Sequence, residues 1–497
     1  MVRRGVAWHW LFVLVLLAGV VLAACNNGGD DDSSDDTGGD DAGDDSGADD
    51  TGGDDTGDDD TGPWYDPTWV VPMRVLPDIR GFHSIRGIVH AHSWYSHDAC
   101  DSDPVGNTEC LMQMREAFCR TQQDFIMLTD HASYFADHEY PDVLLYLPDE
   151  GDELVYDDDN LPIANRITCP GGFVTTLMAG TENDLMPVHI HHHVEGTNDD
   201  RHALYGRSDP AAVPLMQDLG ATVIVNHDEG WAIPDLVALQ PDGVEIFQLH
   251  AAIMPDMRVE LGVDPIGYIF DILSFLRDPY KPAPNLMLMA FFPVTEAWNE
   301  RWDAILQTKR CIGTAGTDVH RNALPFDLSD GERADGYRRM MQFFSNHLLV
   351  PDDEVGSIET ALDRGRMYTA FEYLGFPYGF DFYATDGTTI YEMGDEPQWT
   401  PGLTIHVKPP VAVSIDPNGP QPEIWTELIR VDASGSEPVA YTTGTSEIVY
   451  AVDSPAVFRA EIHITPHHLL PFLGTVGDKF MHDYPWVLAN PIYVTGE

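Results

Sequence analysis

Two histidines a residue apart, His90 and His92, lie in the stretch Arg86-Gly-Ile-Val-His90-Ala-His92-Ser-Trp-Tyr-Ser-His97-Asp98. Gly87 to Val89 predict a buried apolar strand. Side chains two apart on a strand share a face, so both imidazoles can grip one cation. Further along, the same donor types recur behind apolar runs. They appear in Asp124-Phe-Ile-Met-Leu-Thr-Asp130-His131, in Gly180-Thr-Glu182 followed by His189, His191, His192 and His193, in Asn226-His227-Asp228, and in Gly316-Thr-Asp318-Val-His320. Asp318 and His320 repeat the spacing of His90 and His92.

One metal ion needs fewer ligands than this. A carboxylate among imidazoles is the usual bridge between two cations, and Glu182 is the residue placed to be one. The set offers nitrogen and oxygen without sulfur, which suits Zn²⁺, Mn²⁺ or Fe. Each residue alone has an ordinary explanation: Asp130 could be a cap, and His227 a core histidine. Together they would be an expensive set of polar groups to desolvate for nothing. Two cations a few ångströms apart can share a water and lower its pKa, making it the nucleophile in hydrolysis. Asp130 and Asp228 are candidates to relay protons or to orient ligand histidines. Arg321 is placed either to meet an anionic substrate group or to salt-bridge a neighbouring acid.

The elements that must position these residues alternate. Apolar runs at 86–90, 124–129, 173–182, 221–226, 243–248 and 311–317 read as strands. Segments 108–122, 210–219, 265–276 and 295–307 read as helices. That order predicts βα units in a parallel sheet or barrel, whose chemistry gathers at the C-terminal strand ends. The acidic, Pro-bearing segment 134–165 predicts an excursion over the barrel mouth. Segment 333–366 predicts helix, with Met340, Met341, Phe343, Phe344 and Leu348 as a core stripe. From about residue 370, strand-like runs at 404–407, 427–431, 447–452 and 456–464 between turns predict an antiparallel β-sandwich. His467 and His468 follow a proline there and read as surface residues.

The order His-x-His, Thr-Asp-His, Gly-x-Glu, an isolated His after a strand and Gly-Thr-Asp-x-His resembles the PHP (polymerase and histidinol phosphatase) superfamily, over residues 85–320. Trp302-Asp-Ala-Ile-Leu, Leu362-Asp-Arg-Gly-Arg-Met-Tyr-Thr and Ala489-Asn-Pro-Ile-Tyr-Val are similar to its carbaryl-hydrolase-like (CehA/McbA) branch. The resemblance implies an α/β fold: a distorted seven-stranded β/α barrel followed by a β-sandwich, here residues 67–369 and 370–497. It implies two or three divalent ions (Zn, Mn or Fe). His90, His92, Glu182 and Asp318 would hold the first. Glu182, His227 and one of His189 or His191, with His191 preferred, would hold the second. His97 or its rival Asp98, with His131 and His320, would hold a third. Glu182, Asp318 and Arg321 would carry the catalysis, and the substrate would be a small phosphate mono- or diester, or else a carbamate or carboxylic ester. A non-catalytic surface binding protein that keeps metals for stability is the reading from another class.

The ends and the charge bound the setting. Arg3 and Arg4, an apolar run at 8–21 and Leu22-Ala-Ala-Cys25 read as an export signal, and the last four residues resemble a bacterial lipobox with Cys25 lipidated. Residues 26–62 are almost wholly Asp, Gly, Ser and Thr, predicting a disordered tether over 26–66; its acids lack the regular spacing of calcium-binding repeats. The whole chain holds 82 acids and 26 lysines and arginines, a balance that opposes nucleic-acid binding. The expected location is the cell envelope, with a lipid anchor in the membrane. Of the five cysteines after Cys25, Cys100 and Cys110 are the nearest candidates for a disulfide in an oxidising compartment.

Overall fold

In the computed structural model the described residues are 64–101, 107–277, 282–292 and 296–496. The expected signal segment, Cys25 and the tether up to residue 63 lie outside them. Among the described residues no helix is long and apolar enough to cross a membrane.

Short runs buried on both faces form the parallel strands, as covered parallel strands should be. They are β1 (His83–Ala91), β2 (Phe125–His131), β5 (Val174–Glu182), β7 (Thr222–Val225), β8 (Gly243–Gln248) and β9 (Ile312–Val319). Parallel ladders join β5 to β2, β2 to β1, β1 to β9, β9 to β8 and β8 to β7. A three-residue strand, β6 (Met186–Val188), turns back after β5 and pairs antiparallel with β7. These seven strands curl into a ring that does not close, because β5 and β6 form no ladder. β6 is short, and its central Pro187 has no N–H to donate. Its carbonyl instead approaches Gly180 so closely that a Cβ there would stand 2.5 Å away.

The expected excursion is partly sheet. β3 (Glu153–Tyr156) and β4 (Pro162–Thr168) form a hairpin added antiparallel to the edge of β5. The expected helical stripe at 333–366 is also corrected. A five-residue helix, Tyr337–Met341, gives way to β10 (Ser345–Val350), and helix returns only at Val355–Asp363. β10 pairs with the first half of β1, while the second half of β1 pairs with β9. The stripe is core all the same, with Met340, Met341, Phe343, Phe344 and Leu348 buried.

β11 (Met367–Ala370) lies between β10 and strand Tyr484–Ala489. The main sheet thus runs without a break into the C-terminal strands Ala456–Thr465, Glu423–Asp432 and Gly435–Thr443. A second antiparallel sheet joins Asp381–Thr385 to Ile390–Glu392 and Thr404–Lys408, and the latter to Ile448–Ala451. Phe382, Ile405 and Val407 of this sheet share one buried cluster with Leu428, Phe458 and Ile462 of the other. His468, expected at the surface, is buried with its ring edge-on to Tyr65 at 5.2 Å. Disulfides join Cys100 to Cys110, as expected, and Cys119 to Cys169, while Cys311 is free and buried.

Candidate metal centre

His90, His92, Glu182 and Asp318 meet at the C-terminal ends of β1, β5 and β9, all buried, each with a ligand atom within 4.8 Å of the others'. Plain strand alternation is not what brings the two histidines together. His90 has φ 77° at a register shift between Val89 and Ala91, so β1 bulges there against both neighbours. His227 and Asp318, at the ends of β7 and β9, are also left-handed, with φ 48° and 47°. Such backbone is uncommon for residues with a Cβ and gathers at functional sites.

Glu182 lies at the centre. Its Oε1 stands 3.4 Å from Nε2 of both His90 and His227, and its Oε2 is 3.2 Å from His92 Nε2 and 3.1 Å from His131 Nδ1. Asp318 Oδ1 is 2.8 Å from His92 Nε2, and its Oδ2 is 2.6 Å from His250 Nδ1 and 3.3 Å from His227 Nε2. Two further groupings share members with the first: His92, Asp98 and His131, and His227, His250 and Asp318.

Yet among the described residues Nε2 of His90 and His92 and Oε2 of Glu182 are buried without a hydrogen bond. Buried polar atoms left unpaired are costly. Atoms this close but not aligned on each other suit donors aimed at a common point between them, and the nitrogen–oxygen set fits a divalent cation.

The supporting contacts orient the rings. His90 Nδ1 meets Glu245 Oε1 at 2.7 Å, His227 Nδ1 meets Glu229 Oε1 at 3.1 Å, and His92 Nδ1 meets Ser96 Oγ at 3.0 Å. Carboxylates only accept, so Nδ1–H of His90 and His227 donates to Glu245 and Glu229 and leaves their Nε2 lone pairs facing Glu182 and Asp318. Asn226 Nδ2 donates to Glu182 Oε1 at 2.5 Å, and Gln248 Nε2 donates to Asp318 Oδ2 at 2.9 Å. Asp130 is fully engaged in holding the loop after β1, accepting from the Ser93 amide at 2.7 Å and its hydroxyl at 2.6 Å.

The electrostatics suit a cation as well. Burial works against charge on His90, but the carboxylates of Glu245, Asp318 and Glu182 raise its pKa to about 10. Burial likewise opposes charge on Glu182 and Asp318, and the surrounding imidazoles hold both well below the usual carboxylate range. Acids strong enough to hold protons on buried imidazoles are equally able to hold a metal in the protons' place.

Not every expected residue joins the cluster. His191 does not: β6 runs antiparallel to β7 and carries His189 and His191 toward the other end of the ring, where His191 meets Glu359. His97 is exposed, its ring 5.8 Å from Tyr134 and 4.9 Å from His131, and Asp98 is the residue that bonds His131 Nε2 at 2.9 Å. His320 is buried beside the cluster, its Nε2 3.2 Å from His250 Nδ1, and burial together with His250 pushes its pKa down to about 4. Arg321 lines a cavity of about 710 Å³ with Arg120, Arg333, Arg338 and Glu332, whose walls include none of the clustered residues.

His250 and Glu245 escaped the sequence reading. His250 is the second residue after β8, a position matching the other strand-end ligands, but nothing beside it repeats their motifs. Glu245 is an acid inside the apolar run Gly243–Gln248, and that anomaly was its signal. Another grouping, Glu427, Glu461 and His463, lies on the C-terminal sheet. There Arg459 pairs with Glu461 and supplies the positive charge.

No family model matches the chain, and no curated protein matches it. Among solved structures it is similar to a two-domain protein containing a predicted PHP-like metal-dependent phosphoesterase from Bacteroides vulgatus. The identity is 13% and the TM-score 0.31, over 84% of this chain and 99% of that one. A likeness at that level carries no argument.

Proposed function

We propose that this chain is a metal-dependent hydrolase of the PHP type, held at the cell envelope by a lipid on Cys25, that cleaves small phosphate mono- or diesters. The observation that carries the reading is Glu182, buried and within 3.4 Å of ring nitrogens from four histidines, of which His90 and His92 keep Nε2 without a hydrogen bond among the described residues. His90, His92, Glu182 and Asp318 would hold one ion. His227, His250 and Asp318 would hold a second, and His92, His131 and Asp98 a third, with His320 at their edge. Divalent ions bound there supply Lewis acidity and lower the pKa of a water. The chain's own part is to aim the donors. Glu245, Glu229 and Ser96 fix three rings, Asn226 and Gln248 hold the two central carboxylates, and Asp130 secures the loop that presents His92.

One observation favours the second reading, a carbamate or carboxylic ester hydrolase on the same residues. Among the described residues no lysine or arginine pairs with Glu182, Asp318 or Asp98, whose ionic partners are all histidines. A phosphate dianion is best met by fixed cations, whereas a neutral carbonyl needs none.

The deciding experiment combines elemental mass spectrometry of the purified protein with hydrolysis of nitrophenyl phosphate, a phosphodiester and a carboxyl ester. Wild type is compared with His90→Ala. Two or three transition-metal ions per chain, with turnover lost in the variant, support a hydrolase, and the preferred substrate selects its class. No bound metal after reconstitution with Zn²⁺ or Mn²⁺ sinks the reading and leaves a surface binding protein.

A further inference from the structure

We propose that His189, His191 and Glu359 form a separate Zn²⁺ site at the opposite end of the strand ring, clamping β6 to helix Val355–Asp363. Val188, the last residue of β6, pairs with Thr222 at the start of β7, whereas His227 follows the far end of that strand. Four residues lie between Thr222 and His227, and the five steps of chain span at most roughly 16 Å. The site is thus independent of the cluster that carries the proposed hydrolysis.

His189 is 2% exposed. Its Nε2 is 2.8 Å from Thr222 Oγ1, and that hydroxyl bonds Asp363 Oδ1. With the hydroxyl donating to the carboxylate, Nε2–H donates to the hydroxyl and Nδ1 keeps a lone pair. Nδ1 is buried with no hydrogen-bond partner among the described residues and stands 3.9 Å from Glu359 Oε1, an acceptor facing an acceptor. His191 Nε2 reaches the same Oε1 at 2.8 Å. An ordinary His191–Glu359 ion pair accounts for two of the three residues but leaves His189 Nδ1 stranded. A cation between them satisfies all three.

The surroundings agree. The three donor atoms lie within 4.8 Å of one another. Tetrahedral Zn²⁺ with bonds of about 2.1 Å spaces its ligands roughly 3.4 Å apart, between the 2.8 and 3.9 Å seen here. Two imidazoles and one carboxylate leave a fourth position for water, and the His191 side chain is 26% exposed, giving the ion a route in. The Asp363–Thr222–His189 chain is the kind of outer support that ligating histidines need. His189 holds a left-handed φ of 47°, and a Cβ at Gly220 would come within 2.9 Å of the His191 ring, so glycine leaves that ring its space.

The test counts zinc. Purified wild type, His189→Asn and Glu359→Gln are loaded with Zn²⁺, desalted and measured by elemental mass spectrometry, with thermal unfolding followed with and without Zn²⁺. Asn tolerates the left-handed backbone but loses the ring donor. Wild type should retain one more Zn²⁺ than either variant, and each variant should lose part of the zinc-dependent rise in Tm. Equal zinc in all three chains overturns the proposal and leaves an ion pair. Anomalous scattering at the zinc edge from wild-type crystals decides it even if a variant misfolds: a peak between His189 and Glu359 supports the site, and none there overturns it.

Discussion

His90 Nδ1 meets Glu245 Oε1 at 2.7 Å, and a Cβ on Gly316 would overlap that same carboxylate. The glycine of the Gly-Thr-Asp stretch is therefore the space in which the support of His90 sits. Glu245→Gln should weaken metal binding by about 10–100-fold with the fold retained, read by metal titration and far-UV circular dichroism. Gly316→Ala should do the same and also cost about 1–3 kcal/mol of stability from overpacking, read by denaturant unfolding. Unchanged metal affinity in Glu245→Gln would show that the contact is only structural.

Asp98 and His97 are neighbours in sequence with different surroundings. Asp98 bonds His131 and groups with His92, while His97 faces outward toward Tyr134. Asp98→Asn and His250→Ala should each lower the metal content by one ion per chain. His97→Ala should leave the stoichiometry unchanged. Elemental analysis of the three variants checks this, and loss of an ion in His97→Ala would restore that residue to the ligand set.

What the sequence made legible were the apolar runs. Gly243–Gln248 is a strand over the whole span expected of it, because six buried positions bounded by Asp242 and the following helix allow little else. The direction of β6 was hidden, since three residues ending before a histidine run carry no sign of which end of the ring they reach. That is why His191 was expected with His227 and lies elsewhere. Met340 to Leu348 have helical spacing, yet helix stops at Met341 and β10 begins at Ser345. The first half of β1 needs a partner on the side where β9 pairs only with its second half, and that tertiary demand overrides local spacing. The bulge at His90 was equally out of reach. It arises from β1 answering two neighbours at once, and alternation predicted the right meeting of residues for the wrong reason.

Cys119, near the end of helix Thr108–Thr121, is tied to Cys169, just after β4, across a separation of 50 residues. A loop of that length removes roughly 4 kcal/mol of unfolded-state entropy in the chain-entropy account. The paired Cys119→Ser and Cys169→Ser variant should lose stability on that order, and the Cys100–Cys110 pair, closing a separation of ten, should matter less. Urea unfolding of both double variants checks the ranking, and a larger loss from the shorter loop would contradict it.

His463 gives the C-terminal sheet a pH dependence of its own. Burial opposes its charge, but Asp483, which bonds Nδ1 at 2.9 Å, and Glu461 outweigh it and raise the pKa to about 9. Glu427 and Arg459 stand on the neighbouring strand positions, and the Trp425 ring stacks on the imidazole at 3.9 Å. The unfolded chain returns the group to about 6.5, so the folded state binds the proton more tightly. Its contribution is complete below about pH 6.5 and is lost as pH rises toward 9. The amount is on the order of 1–3 kcal/mol. His463→Gln should be less stable than wild type at pH 6 and should flatten the fall in stability between pH 6.5 and 9. Denaturant midpoints across that range measure it, and a wild-type curve as flat as that of the variant would show that Asp483 and Glu461 do not hold the proton.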